Sequence, residues 1–129
     1  MSKSDINVQD IIDIAPYLFQ DEAGVETITE FECQSGWYGI IAQAISDIHK
    51  YLVENAEQLD EDVSEYYITS IKEKFGFLDI AFTYYDPQID RICEKARMDS
   101  QSICEVSGKS GAQQYSQSGY VKTLHPSIV

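Results

Sequence analysis

Five side chains supply the thiols and imidazoles of this sequence: Cys33, Cys93, Cys104, His49 and His125. A nucleophilic enzyme needs a thiol or hydroxyl held within hydrogen-bond reach of a base. No histidine stands beside a cysteine in the chain. His49 falls between Ile48 and Lys50 at the edge of an apolar helical stripe, where boundary residues sit. Cys93 falls on an apolar helical face and reads as core, and Cys33 reads as packed under the nearby Trp37. There is no glycine-rich phosphate loop and no H-E-x-x-H run. The expectation is a protein that is not an enzyme and uses no cofactor.

Carboxylates are the abundant chemistry. Asp and Glu number 22 against 9 Lys and Arg, giving a net charge of -13 and a pI of about 4.3. The excess lies in residues 1–65, which hold 15 acids and two bases, Lys3 and Lys50; the rest of the chain is balanced. A field of that sign repels nucleic acid and anionic membrane and favours a basic protein surface as partner. The run Glu54, Glu57, Asp60, Glu61, Asp62, Glu65 lacks the D-x-D-x-D-G spacing of a calcium loop. Two readings of it stand: a solvated loop, or a negative surface that imitates a phosphate track. For the second, the partner-binding residues are Asp47, Glu54, Glu57, Asp60, Glu61, Asp62 and Glu65, with Tyr66 as aromatic anchor beside Tyr51 and Tyr67.

These residues need elements to hold them. Trp37, Ile40, Ile41, Ala44, Ile45, Ile48, Tyr51 and Leu52 repeat at i, i+3, i+4, i+7, which predicts a helix from Trp37 to about Ala56 with Ser35 as N-cap. Residues 57–65 read as an acidic loop. Residues 66–71 and 77–85 are rich in β-branched and aromatic types and predict a hairpin joined by the polar stretch 72–76, with Leu78, Ile80, Phe82 and Tyr84 facing the long helix. Asp86-Pro87 signals a helix start, and Ile89, Ile92, Cys93, Ala96 and Ile103 extend the stripe to an end near Gly108. Before the long helix, a short helix precedes Pro16 and residues 20–34 form an irregular segment or an edge strand. Residues 1–9 read as flexible, and 120–126 as a short final strand. The fold class is α+β: one domain, with two helices packed on a β-hairpin or small antiparallel sheet.

Three cysteines without a C-x-x-C pair argue against a disulfide framework, and no basic-then-apolar leader or long apolar run is present. A cytoplasmic protein with no membrane association is expected.

Four motifs occur in order: Phe31-Glu32-Cys33 with Gly36-Trp37-Tyr38; Ile71-Lys72-Glu73-Lys74-Phe75-Gly76; Ile103-Cys104-Glu105-Val106-Ser107-Gly108-Lys109; and Gly119-Tyr120-Val121-Lys122-Thr123-Leu124. With these motifs, and with Tyr17-Leu18-Phe19 near its start, the chain resembles a family of small uncharacterised proteins of phages and bacterial mobile elements. The resemblance implies a zinc-ribbon-like end over residues 109–129, with four Cys and His ligands. Here Ser107 stands at the second cysteine, His125 at the later cysteine and Ile128 at the final histidine, so only Cys104 and His125 could still bind metal. The resemblance implies a ribbon path without its ion. The function expected is an acidic inhibitor or accessory protein acting on a basic, nucleic-acid-binding partner, such as a host defence nuclease or CRISPR effector. Two alternatives are an immunity protein or antitoxin for a cationic toxin, and a remnant zinc-ribbon module associated with nucleic acid.

Overall fold

The computed structural model of the chain describes residues 6–59, 61–117 and 119–127. Its core forms around Trp37, whose ring is wholly buried and whose Nε1–H donates to the Ile103 carbonyl at 2.8 Å. The long helix α1, Tyr38–Glu54, buries Ile41, Ala44, Ile45, Ile48 and Leu52 behind it. At roughly 1.5–3 kcal/mol for each fully buried aliphatic side chain, this face dominates the packing. A second helix, α2, Pro87–Ser100, lies against α1. Asp86 caps it as its residue type predicts, its Oδ1 accepting from Gln88 N and Ile89 N at 2.9 and 3.1 Å.

Two small antiparallel sheets complete the α+β fold. β1, Ile68–Lys74, pairs with β2, Phe77–Phe82, from Ile68 opposite Phe82 to Lys74 opposite Phe77. β3, Gln113–Gln117, pairs with β4, Tyr120–Leu124. One cluster of buried apolar side chains draws on both helices and on the first hairpin. No helix among the described residues is long and apolar enough to cross a membrane.

The four motifs meet in one polar seam. Lys122 Nζ donates to Glu73 Oε1 at 2.9 Å and lies 3.6 Å from Glu105 Oε1. The other oxygen of Glu73 accepts the Gly76 N–H at 2.7 Å, and that of Glu105 accepts the Gln34 N–H at 3.1 Å. Gly36 N–H donates to the Glu105 carbonyl at 2.7 Å, and Thr123 Oγ1 donates to the Gly76 carbonyl at 2.5 Å. A β-carbon on Gly36 would collide with the carbonyls of Cys104 and Glu105, so only glycine lets the two segments close.

Several boundaries differ from expectation. Ser35 does not cap α1; it opens a 3-10 turn, Ser35–Trp37, because Gly36 is held on Glu105 and the chain enters the helix from there. The helix ends at Glu54 rather than Ala56, where Asn55 leaves helical geometry and its Nδ2 donates to the Tyr51 carbonyl at 2.9 Å. Short 3-10 turns, Ala56–Gln58 and Val63–Glu65, break up the acidic loop. α2 stops at Ser100, well before Gly108. The Ser100 hydroxyl donates to the Arg97 carbonyl and accepts the Leu78 N–H at 3.0 Å, tying the helix end to β2. Ile103 therefore lies beyond the helix, its side chain still packed against the core and its carbonyl receiving the Trp37 indole. β2 runs closest to α2, not to the long helix. The predicted connection 72–76 shrinks to the two residues Phe75 and Gly76. In the segment read as irregular or edge strand, Glu32 makes only an isolated parallel bridge to Lys72. Of the stretch read as flexible, residues 1–5 lie outside the described residues, and Asn7 already caps a short helix, Val8–Ile12.

The Phe75–Gly76 turn has φ of 54° and 87°, the double positive pattern of a type I′ turn. Phenylalanine is strained there, since a β-carbon crowds its own backbone in the left-handed region. Replacing it by Asn, which tolerates that region, is expected to stabilise the protein by about 0.5–1 kcal/mol. Thermal unfolding should show a rise of a few degrees.

The seam has a pH signature. Burial pushes the Glu73 carboxyl up, but the Gly76 N–H and Lys122 outweigh it and hold it below its usual value of 4.5. A carboxylate whose folded value is depressed adds stability that is present above the unfolded value and lost as pH falls through the folded one. Urea unfolding from pH 6 down to 3 should therefore show stability falling below about pH 4.5, and Glu73→Gln should flatten that fall by roughly 1 kcal/mol.

Candidate functional site

Two loops from distant parts of the sequence bring carboxylates together beside tyrosines. In the first, Asp21 Oδ1 accepts the N–H groups of Ala23 and Val25, both at 2.9 Å, and Asp21 N donates to the Val25 carbonyl at 2.8 Å. Thr27 pins this loop beside β1, its hydroxyl donating to the Ile68 carbonyl at 2.7 Å. In the second, Asp62 caps the turn Val63–Glu65, taking the N–H and hydroxyl of Ser64 at 2.9 and 2.7 Å while Glu65 Oε2 accepts the Asp62 N–H at 3.3 Å. The Thr83 hydroxyl donates to the Glu65 carbonyl at 2.7 Å and fastens this turn at the end of β2.

The phenols report the resulting field. Tyr84 is raised by the charges of Glu61 and Glu65, then by burial and by Glu22. Tyr67 is raised by burial, then by the charge of Glu22, a hydrogen bond with it, and Asp21. Asp21 and Glu22 lie within electrostatic reach of Tyr67, and Glu22, Glu61 and Glu65 within that of Tyr84, so Glu22 links the two loops. Tyr84 is 44% exposed and the adjoining Tyr85 77%. The face can offer spaced acceptors and aromatic contact surface.

The sequence-predicted partner residues divide. Glu61 and Glu65 belong to this face. Asp62 stands beside them, its carboxylate and that of Glu65 both engaged in the capping box, and the hydrogen bonds of Ser64 hold Asp62 below its usual value. Glu57 is exposed on the turn after α1, and Asp60 lies outside the described residues. Asp47 and Glu54 lie elsewhere, in a groove of about 460 Å³ between α1 and α2 that is also lined by Lys50, Tyr51, Arg91 and Lys95. There the charges compensate: Lys95 is raised first by its hydrogen bond to Asp99 and also by Asp47. Tyr66 does not serve as a surface anchor. It is 3% exposed and turned into the core, its ring 6.1 Å from Tyr84. Asp21 and Glu22 were not indicated by the sequence; only their acidity was, because it is the folding of the loops that sets Glu22 within reach of the same phenol as Glu61 and Glu65.

Cys104 and His125 approach each other through the backbone. Burial raises the Cys104 thiol, but contacts with Ser107 and the N–H groups of His125 and Val106 outweigh it and leave the thiol below its usual value. The Ser107 N–H lies 3.3 Å from Sγ. His125 Nδ1 is occupied by Ser127, 2.7 Å from its hydroxyl and 3.1 Å from its nitrogen. Among the described residues no group of three or more His, Cys, Asp and Glu side chains could hold a metal ion. Ile128 lies outside the described residues.

The remaining thiols and imidazole are occupied structurally. Cys33 is pushed up to about 12 by burial, then by the charges of Glu105 and Glu73, and Cys93 to about 12 by burial, then Asp90 and Asp79. His49 Nδ1 pairs with the Tyr17 hydroxyl at 2.9 Å rather than with a thiol.

No protein-family model matches the chain, and neither does any curated protein or any solved structure.

Reactivity follows from the thiolate fraction. The native protein should label at none of its three cysteines within minutes of adding a maleimide at pH 7.5, Cys104 because it is buried and Cys33 and Cys93 because they stay protonated. All three should label in urea. Mass spectrometry of the labelled protein checks this.

Proposed function

We propose that this chain is a small acidic protein-binding module that covers a basic, nucleic-acid-binding surface on a partner protein, as an inhibitor or accessory protein of a mobile element. The convergence of Asp21, Glu22, Glu61 and Glu65 around Tyr67 and Tyr84 carries this reading. Carboxylates spaced over a surface present a basic groove with the charge pattern of a phosphate track. Tyrosines beside them add apolar contact at little entropic cost, which is why tyrosine is enriched at binding hot spots. A net charge of -13 speeds encounter with a cationic surface and slows it with nucleic acid. The four motifs that resemble those of phage and mobile-element proteins supply the genetic context. An immunity protein for a cationic toxin would use the same face; a toxin gene beside this one would assign it that role.

The Cys104 corner favours a second reading, a remnant zinc-ribbon module associated with nucleic acid. Backbone N–H groups directed at a cysteine sulfur before a β-hairpin are what a ribbon knuckle requires. Zinc content after purification without chelator, with a gel shift, separates it from the first.

Affinity capture from host lysate at low salt is expected to retain a basic nucleic-acid-binding protein that elutes with salt. Glu61→Lys with Glu65→Lys should weaken that binding by about 10- to 100-fold, whereas Asp47→Lys, in the compensated groove, should change it little. Capture that ignores both the double reversal and salt would rule out this face as the recognition surface.

A further inference from the structure

The groove between α1 and α2, about 460 Å³, has the size of a small-molecule site, and none of Asp21, Glu22, Glu61 and Glu65 lines it. Its floor is fixed. The Tyr51 hydroxyl donates to Asp86 Oδ2 at 2.9 Å, which ties the ring to the start of α2, and Asn55 is bonded in turn to the Tyr51 carbonyl. Tyr51 and Ile92 are half-buried there and give the floor an apolar surface.

The rim carries charges that the protein itself leaves unpaired. Lys50 and Glu54 stand four residues apart on α1, yet neither makes an ion pair or hydrogen bond with a described residue. Lysine before glutamate is the poorer order for such a pair. Arg91, across the groove, gives one nitrogen to Gln88 Oε1 at 3.1 Å and keeps the rest of its fork. The other two charges of the lining are engaged, Asp47 by Gln43 at 3.0 Å and Lys95 by Asp99 at 2.8 Å. Lys50 is also the only Lys or Arg between residues 4 and 65, so the acidic half of the chain places its one cation in this range here.

Charge says what fits. A net charge of -13 disfavours a purely anionic molecule, and a purely cationic one would meet Lys50 and Arg91. A small molecule that carries both signs and no net charge meets neither obstacle. Its carboxylate matches the Arg91 fork and the Lys50 ammonium, its ammonium matches Glu54, and an apolar body covers Tyr51 and Ile92. We propose that this groove binds a free amino acid with an aromatic or aliphatic side chain. The charges are exposed and the ligand is small, so the dissociation constant is about 0.1–1 mM.

Heteronuclear NMR titration of the full chain with L-phenylalanine and L-leucine, each to about 10 mM, tests it. Saturable shifts are expected at residues 47–55 and 88–95. N-acetylphenylalanine, which lacks the ammonium, and phenylalaninamide, which lacks the carboxylate, should each bind at least about tenfold more weakly than phenylalanine. Glu54→Gln should weaken phenylalanine about tenfold without moving the N-acetyl compound, and Arg91→Gln should do the same with respect to the amide. Glu61→Lys with Glu65→Lys should change none of this, so the groove and the acidic face can fail separately. Absence of saturable shifts with both amino acids overturns the proposal. So does equal binding of the N-acetyl compound, which would make the groove an anion site, or of the amide, which would make it a cation site.

Discussion

Lys122 lies between two carboxylates that come from different parts of the chain, Glu73 at the first hairpin and Glu105 after the second helix. Glu105 is 1% exposed, and one of its oxygens has no hydrogen-bond partner among the described residues, so the ammonium 3.6 Å away is what offsets its desolvation. The rest of the architecture depends on this arrangement. With Lys122 in place, the segment after residue 103 can press its backbone onto Gly36, and the Ile103 carbonyl can receive the Trp37 indole. The tail thereby becomes part of the structure that orients α1. The fold is closed by a polar seam over an apolar core, and the seam is where the short motifs of the sequence coincide.

This division of labour leaves the acidic surface unconstrained by packing. Three basic side chains of the second half are paired within that half: Lys122 with Glu73 in the seam, and at the surface Lys95 with Asp99 and Arg97 with Glu94, Arg97 also lying over the Phe77 ring at 5.1 Å. In the first half there is almost nothing to neutralise the acids. Those near Tyr67 and Tyr84 are set by small local devices, an Asp21 turn and an Asp62–Glu65 capping box, in which Asp21, Asp62 and Glu65 each accept backbone N–H groups.

What could be read from the sequence was what is encoded locally. The α1 stripe and the Asp86-Pro87 start are local patterns, and both are present. β3 was missed because Gln113, Gln114, Tyr115, Ser116 and Gln117 show no apolar alternation; the strand exists through its pairing with β4. The spacing predicts too long an α2 because Ile103 continues the helical stripe, whereas it packs on the core from beyond the helix end and bonds the Trp37 indole through its carbonyl. Tyr66 and Tyr84 show the limit of composition. Both are tyrosines beside acids, but one precedes β1 and turns inward while the other follows β2 and is half-exposed. Asp21 and Glu22 joined the site through loop packing, which no spacing rule contains.

The central claim, that the Asp21, Glu22, Glu61 and Glu65 face is the recognition surface, is tested most directly by hydrogen–deuterium exchange of the chain with and without a captured basic partner. The expected result is protection of residues 21–27, 61–67 and 83–85 at low salt, fading as salt is raised. Protection confined to the groove between α1 and α2 would contradict it.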